Sequence, residues 1–305
     1  MRFFALVLIF SLAYSTAYQA NEGSDRIEPA LAGRKDVLLF CGFETDDWWR
    51  AWGMQKPPDN TSLVDGEGAF KGRSLKVTVR RDEHMGTSFA YKFRQQTGAE
   101  PEEIYFRYYL KFDPSWRNAT SGGKLPGISG TYGRAGWGGR RVNGSDGWSA
   151  RGLFDTRPGA SFTTVGFYCY HADMKGIYGE HWAFKPSLQH GRWYSVEQYC
   201  KLNAPADAAG KGRNDGILRG WIDGQFAFEK TDIRFRDLNT LRIEEIWMNV
   251  YHGGATPVPG DDIHLYLDNI VIARAPIGLA KVEQSQRAGP RSLNDQSAAT
   301  RPAGE

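Results

Sequence analysis

The sequence predicts an all-β protein, a sandwich of two antiparallel sheets. Three observations carry this expectation. Runs rich in Val, Ile, Tyr, Phe and Trp recur along the chain with turn signals between them, and no long amphipathic helical pattern interrupts them. In Ile104–Phe112, apolar Ile104, Phe106, Tyr108, Leu110 and Phe112 alternate with the mixed set Tyr105, Arg107, Tyr109 and Lys111, as a strand with one buried face requires. Asp223-Gly224 lies between two β-rich runs, a strong hairpin signal.

Taken in order, residues 1–17 combine Arg2, an apolar run from Phe3 to Ala13, and small Ser15 and Ala17, the pattern of a secretory signal peptide. That run is too short to span a bilayer, which needs about 20 apolar residues, and no later segment is apolar enough. A soluble, exported protein is expected, with no membrane partner. Residues 18–36 are polar and irregular, a leader to the domain that opens at Val37-Leu-Leu-Phe-Cys41. Strands are expected at Ser74–Arg80, Thr87–Phe93, Glu103–Phe112, Trp148–Phe154, Thr163–His171, Trp193–Leu202, Gly216–Ile222, Phe226–Lys230 and Glu244–Tyr251. His264–Ala273 reads as a final central strand. The stretch Ser121–Gly159 is rich in glycine and too long for a hairpin loop, so a functional loop or a flexible cover is expected there. Residues 276–305 lose their apolar content and read as a disordered tail. A single domain, 37–275, remains, with no repeat and no dimerisation stripe; a monomer is the default.

A formal net charge of +3 does not imply nucleic acid as a partner. The local balance says more: Arg117, Lys124, Arg134, Arg140, Arg141, Arg151 and Arg157 face only Asp146 and Asp155 over one segment. That segment is either a solvated basic loop or a landing strip for an acidic polymer. Cys169 and Cys200 both read as inward-facing, so a Cys169–Cys200 disulfide and two buried thiols are both compatible with the pattern, Cys41 making the third cysteine. Asn60, Asn118 and Asn143 open glycosylation triplets.

Chemistry concentrates on three segments. Lys124 follows two glycines, Ser149 and Arg151 share one strand face, and Tyr168 and Tyr170 share another. Two phenols, a hydroxyl, a guanidinium and an ammonium, without a carboxylate pair, suit an anionic substrate that loses a proton. Eliminating a 4-linked uronate fits: the carboxylate must be neutralised so that charge developing beside C5 is stabilised, which suits Lys124 and Arg151. A base must reach the C5 proton and an acid must protonate the departing O4. Tyrosine can do both if a neighbouring cation favours phenolate. Each residue also has a plain reading, as a strand hydroxyl, a loop lysine or half-buried surface tyrosines; the combination is what favours the site.

Gly122-Gly-Lys124-Leu-Pro-Gly127, Gly147-Trp-Ser149-Ala-Arg151 and Tyr168-Cys-Tyr170-His171 resemble polysaccharide lyase family 14, the alginate and glucuronate-polymer lyases. The similarity continues through Gly191-Arg-Trp193, Glu197-Gln-Tyr199, Lys201-Leu-Asn203, Asn214-Asp-Gly216, Gly220-Trp221-Ile-Asp223-Gly224 and Leu267-Asp268-Asn269. The resemblance implies a concanavalin-like β-jelly roll with a cationic cleft. It implies that Lys124, Ser149, Arg151, Tyr168 and Tyr170 are the catalytic set acting on an acidic polysaccharide without a cofactor.

Strand parity extends the cleft to further sugar-binding candidates: Glu197, Tyr199 and Lys201, which share a face, then Asn249 and Tyr251, with His171 as a rim residue. Asp261, Asp262, Asp268 and Asn269 offer oxygens for a structural Ca²⁺, weakly, since their spacing matches no calcium loop; no catalytic metal is expected. A secreted lectin-like module for acidic glycans is the competing reading, because jelly rolls host both.

Overall fold

The computed structural model describes residues 28–279 apart from 29, 32, 118–121, 209 and 255–259. The signal peptide, most of the leader, the tail from 280 and the Asn118 triplet lie outside the described residues. The strands are β1 (Val37–Cys41), β2 (Thr61–Val64), β3 (Ser74–Val79), β4 (Met85–Lys92), β5 (Glu103–Phe112), β6 (Gly123–Gly130), β7 (Trp148–Asp155) and β8 (Phe162–Tyr170). They continue with β9 (Glu180–Ala183), β10 (Leu188–Gln189), β11 (Tyr194–Lys201), β12 (Gly216–Ile222), β13 (Gln225–Ile233), β14 (Glu245–His252) and β15 (Ile263–Ala273). A short helix, α1 (Phe93–Thr97), follows β4. Among the described residues no helix is long and apolar enough to cross a membrane.

The strands form a jelly-roll sandwich. One sheet runs β13-β12-β11-β5-β15-β3-β2, with β1 on β15; the other runs β10-β8-β7-β6-β14-β4, with β9 on β8. Alternation supplies the core between them. Phe106, Tyr108 and Leu110 of β5, with Val196 and Cys200 of β11, meet Trp148 and Phe154 of β7 and Phe167 and Cys169 of β8. Cys169 and Cys200 do face inward, but the structure keeps both as thiols, correcting the bridge that the pattern allowed. Burial in apolar surroundings pushes both thiols up, so neither is a nucleophile.

Strand β6 is the main departure from the sequence reading, which put Lys124 in a loop. Its glycines are there for close approach: a Cβ on Gly127 would lie 2.5 Å from the Arg151 Cα and 2.6 Å from the Ala150 carbonyl oxygen. Pro126 is tolerated because the pairing of β6 with β7 shifts register between Leu125 and Ile128.

Both ends of the described chain lie on the outer face of the first sheet. Leu31 and Ile277 pack against Val271 and Ala273. Buried Arg107 pairs with Glu28 and donates to the Gly278 carbonyl at 2.7 Å. Glu197 accepts from the Ile277 and Gly278 amides at 3.0 and 2.9 Å. The boundary expected at Pro276 therefore falls inside a packed segment. The acidic residues offered for Ca²⁺ are engaged separately. Asp268 accepts from Ser74 Oγ (2.6 Å) and the Asn269 amide, Asp262 from the Arg81 amide, and Asp261 pairs with Arg117.

Candidate active site

The outer face of the second sheet collects the chemistry. In β7, Trp148, Ala150 and Phe154 point into the core, which turns Ser149, Arg151 and Leu153 outward. In β8 the same parity points Phe167 and Cys169 into the core and turns Tyr168 and Tyr170 toward the outer side. Register then joins them: Arg151 faces Tyr168, Ser149 faces Tyr170, and Tyr168 faces His181 of β9. On the other flank, Tyr251 of β14 pairs with Lys124 of β6.

Lys124 Nζ lies 4.4 Å from the Tyr168 ring centroid and 5.7 Å from that of Tyr251. The Arg151 guanidinium crosses bare Gly127 to lie 4.7 Å from the Trp247 ring, and its Nη1 donates to Asn249 Oδ1 at 3.1 Å. Among the described residues neither cation has a carboxylate within ion-pair distance. Burial and Arg151 bring the Lys124 ammonium down to about 8. Burial, outweighing Tyr168, Tyr170 and Glu245, brings Arg151 down to about 10, so it stays charged at neutral pH. Buried cations without counter-ions make a site for an anion.

Tyr168 departs from the phenolate that the sequence reading allowed. Burial, then the neighbouring Tyr170, push Tyr168 upward, and Arg151 at 5.5 Å from its ring returns less than burial removes. Tyr168 is a neutral phenol, not a phenolate. It keeps a 4 % exposed edge, whereas Tyr170 and Ser149 are sealed at 0 %. Tyr170 accepts a hydrogen bond from the Gly139 amide (3.1 Å), and Ser149 Oγ donates to the Gly136 carbonyl (2.6 Å). These two residues hold the glycine-rich hairpin onto the sheet.

The remaining candidates separate. Asn249 and Tyr251 join the group. Glu197, Tyr199 and Lys201 lie on β11 in the opposite sheet: Glu197 clasps the 277–278 amides, and Tyr199 donates to Glu103 at 3.2 Å. They do not extend the cleft; parity gives a shared face, not which sheet carries it. His171 packs beside Trp182 (5.5 Å) with Nε2 3.2 Å from Glu180, and none of these contacts reaches Lys124 or Arg151. Sequence reasoning missed Trp247, which shares parity with Asn249 and Tyr251. It also missed His181, 5.1 Å from the Tyr168 ring, and His84, stacked 5.4 Å from Tyr251. Parity could have found Trp247; nothing local signalled the two histidines.

The model of the family polysaccharide lyase 14 matches residues 69–269. The chain belongs to that family. It is a polysaccharide lyase. Solved structures share the fold of this lyase. The alginate lyase Aly36B, in a variant with one lysine and one tyrosine replaced by alanine and in complex with alginate tetrasaccharide, superposes with a TM-score of 0.58 at 18% identity. The match covers 79% of this lyase and 95% of that chain. The alginate lyase vAL-1 from Chlorella virus gives 0.55 at 19% identity, over 70% and 88%. The marine PL-14 alginate lyase from Aplysia kurodai gives 0.57 at 16%, over 77% and 98%. No curated protein matches the lyase by sequence.

Proposed function

We propose that this lyase cleaves alginate-type 4-linked uronate polymers by β-elimination, with Lys124 as base and Tyr168 as acid. The observation that carries the reading is the pair of cations without carboxylate partners, Lys124 and Arg151, packed against one neutral phenol. The substrate carboxylate supplies the missing counter-charge and sits against Arg151, its charge neutralised so that C5–H acidifies. The uncharged Lys124 amine takes the C5 proton; that electron pair becomes the C4=C5 double bond as the C4–O4 bond breaks. Tyr168 gives its proton to O4, and the Lys124 ammonium returns a proton to the phenolate through solvent. A lysine brought down to about 8 is partly neutral at working pH, and a phenol held neutral is a competent acid.

In the Aly36B complex alginate is bound with one lysine and one tyrosine removed, which fits a lysine and a tyrosine used in chemistry more than in binding. Ser149 and Tyr170 serve by position, holding the hairpin beside Tyr168. The signal-like segment at 1–17 exports the enzyme to a polymer too large to enter a cell. The test is ultraviolet absorbance of the unsaturated product on mannuronate blocks, guluronate blocks and polyglucuronate, with Lys124→Ala as control. A rise on one polymer that vanishes in the control is expected; a flat trace with polymer retained on immobilised protein would favour a lectin.

A further inference from the structure

Resting on that reading, we infer that the hairpin tip Trp137–Arg140 and the neighbouring Tyr178 form a distal subsite that grips the uronate chain away from the reactive pair. The tip is built as a fixed wall. Trp137 and Arg140 pair as an antiparallel bridge, with the Gly136 amide donating to the Arg140 carbonyl at 3.0 Å and the Arg140 amide to the Trp137 carbonyl at 2.9 Å. Ser149 and Tyr170 fasten its root through Gly136 and Gly139. Beneath it Ala135, Val142, Leu153, Tyr168, Tyr170 and Met174 make a small apolar core of their own on the outer face of the second sheet.

The wall's outer surface is made for a carboxylated sugar. The Arg140 guanidinium lies 4.0 Å over the Trp137 ring. Its Nη1 donates to the Gly133 carbonyl at 3.3 Å, and among the described residues it has no carboxylate partner. Tyr178 and Ile177 are 66 % and 59 % exposed. They crowd the tip: a Cβ placed on Gly139 would be 3.4 Å from Tyr178 Cε1 and 3.5 Å from Ile177 Cγ2. Two exposed apolar side chains set against an aromatic ring and a guanidinium offer an amphipathic surface rather than a bare apolar one. Aromatic faces take the C–H face of a pyranose, and a guanidinium without a carboxylate partner takes its carboxylate through two parallel hydrogen bonds.

Position ties the wall to the reaction. Tyr170 contacts the tip through its hydroxyl and Tyr168 through its ring, 5.6 Å centroid to centroid, and Tyr168 in turn carries Lys124. The tip is thus two aromatic rings from the reactive amine, on the Ser149 side of Arg151. A polymer seated at Lys124 and continuing that way meets Trp137, Arg140 and Tyr178.

The experiment is calorimetric titration of the Lys124→Ala protein with a ladder of alginate oligosaccharides from dimer upward. The same titration is run with Trp137→Ala, Tyr178→Ala or Arg140→Ala added, and thermal melting checks the fold of each. The longer oligomers are expected to lose about tenfold in affinity while the shortest that bind are unchanged. In the active protein the same three single changes raise KM for polymer and leave kcat in place. Unchanged affinity at every length overturns the assignment; so does an equal loss at every length. If the unaltered enzyme makes no unsaturated product, the elimination mechanism fails, and the titrations still decide the wall.

Discussion

Under the proposed mechanism, Lys124 sets the pH dependence of the reaction through its own titration. As a base it acts uncharged, so kcat/KM is expected to rise about tenfold per pH unit below about 8 and to level off above it. A pH–rate profile in the free enzyme checks this, and the absence of a limb near 8 would remove the role from Lys124. Lys124→Ala should cost about 10²–10⁴ in kcat, and Tyr168→Phe a similar factor with binding retained. The same shift acts on folding: the amine's folded value lies below its unfolded 10.5, so the protonated lysine disfavours the native state below about 8, a cost that vanishes as pH rises through the unfolded value. Lys124→Met should therefore be inactive yet more stable at neutral pH, by up to about 3 kcal/mol in denaturant melts. At this scale, alternation in the sequence correctly paired Ser149 with Arg151 and Tyr168 with Tyr170. Depth was illegible, because Ser149 and Tyr170 are sealed by a hairpin whose fold-back is not encoded in their own strands.

Among the elements, β6 shows where composition misleads. A run of glycines with a proline reads as a loop, yet here the absent side chains let β7 lie close and let Arg151 cross to Asn249. Gly127→Val should cost about 2–4 kcal/mol in chemical denaturation, because the obstructing atoms are backbone and cannot swing away. The long strands, by contrast, were legible: β5, β7, β8, β14 and β15 carry period-two apolar patterns with β-branched and aromatic residues. Strand β11 was equally legible as a strand but assigned its outer residues to the wrong sheet. Its partners, Leu110 to Glu103 of β5, are over eighty residues distant in sequence, and no local signal specifies them.

Across the whole molecule the two outer faces differ: one carries the cations proposed for chemistry, the other the packed ends of the described residues. Glu197→Ala should lower the melting temperature by freeing the amides of 277 and 278 while leaving KM for polymer unaltered, a direct contrast with a sugar-binding role. Asp268 gives a second signature: burial, against hydrogen bonds from Ser74, Asn269 and Lys71, raises it from 3.8 to about 7. A raised folded value favours the native state below the unfolded one and loses that contribution as pH climbs to about 7. Stability should thus fall between pH 4 and 7, and Asp268→Asn should flatten that slope in melts across the range.

The fastening of both ends of the described residues, at Glu28 and at Ile277–Gly278, to the sheet opposite Lys124 bears on how this enzyme can be handled. A fusion partner joined after Leu279 leaves from the sheet opposite Lys124 and Arg151, so beads, fibres or a second enzyme attached there are expected to leave the proposed site facing incoming polymer. The protein is, in that sense, already oriented for use at a surface.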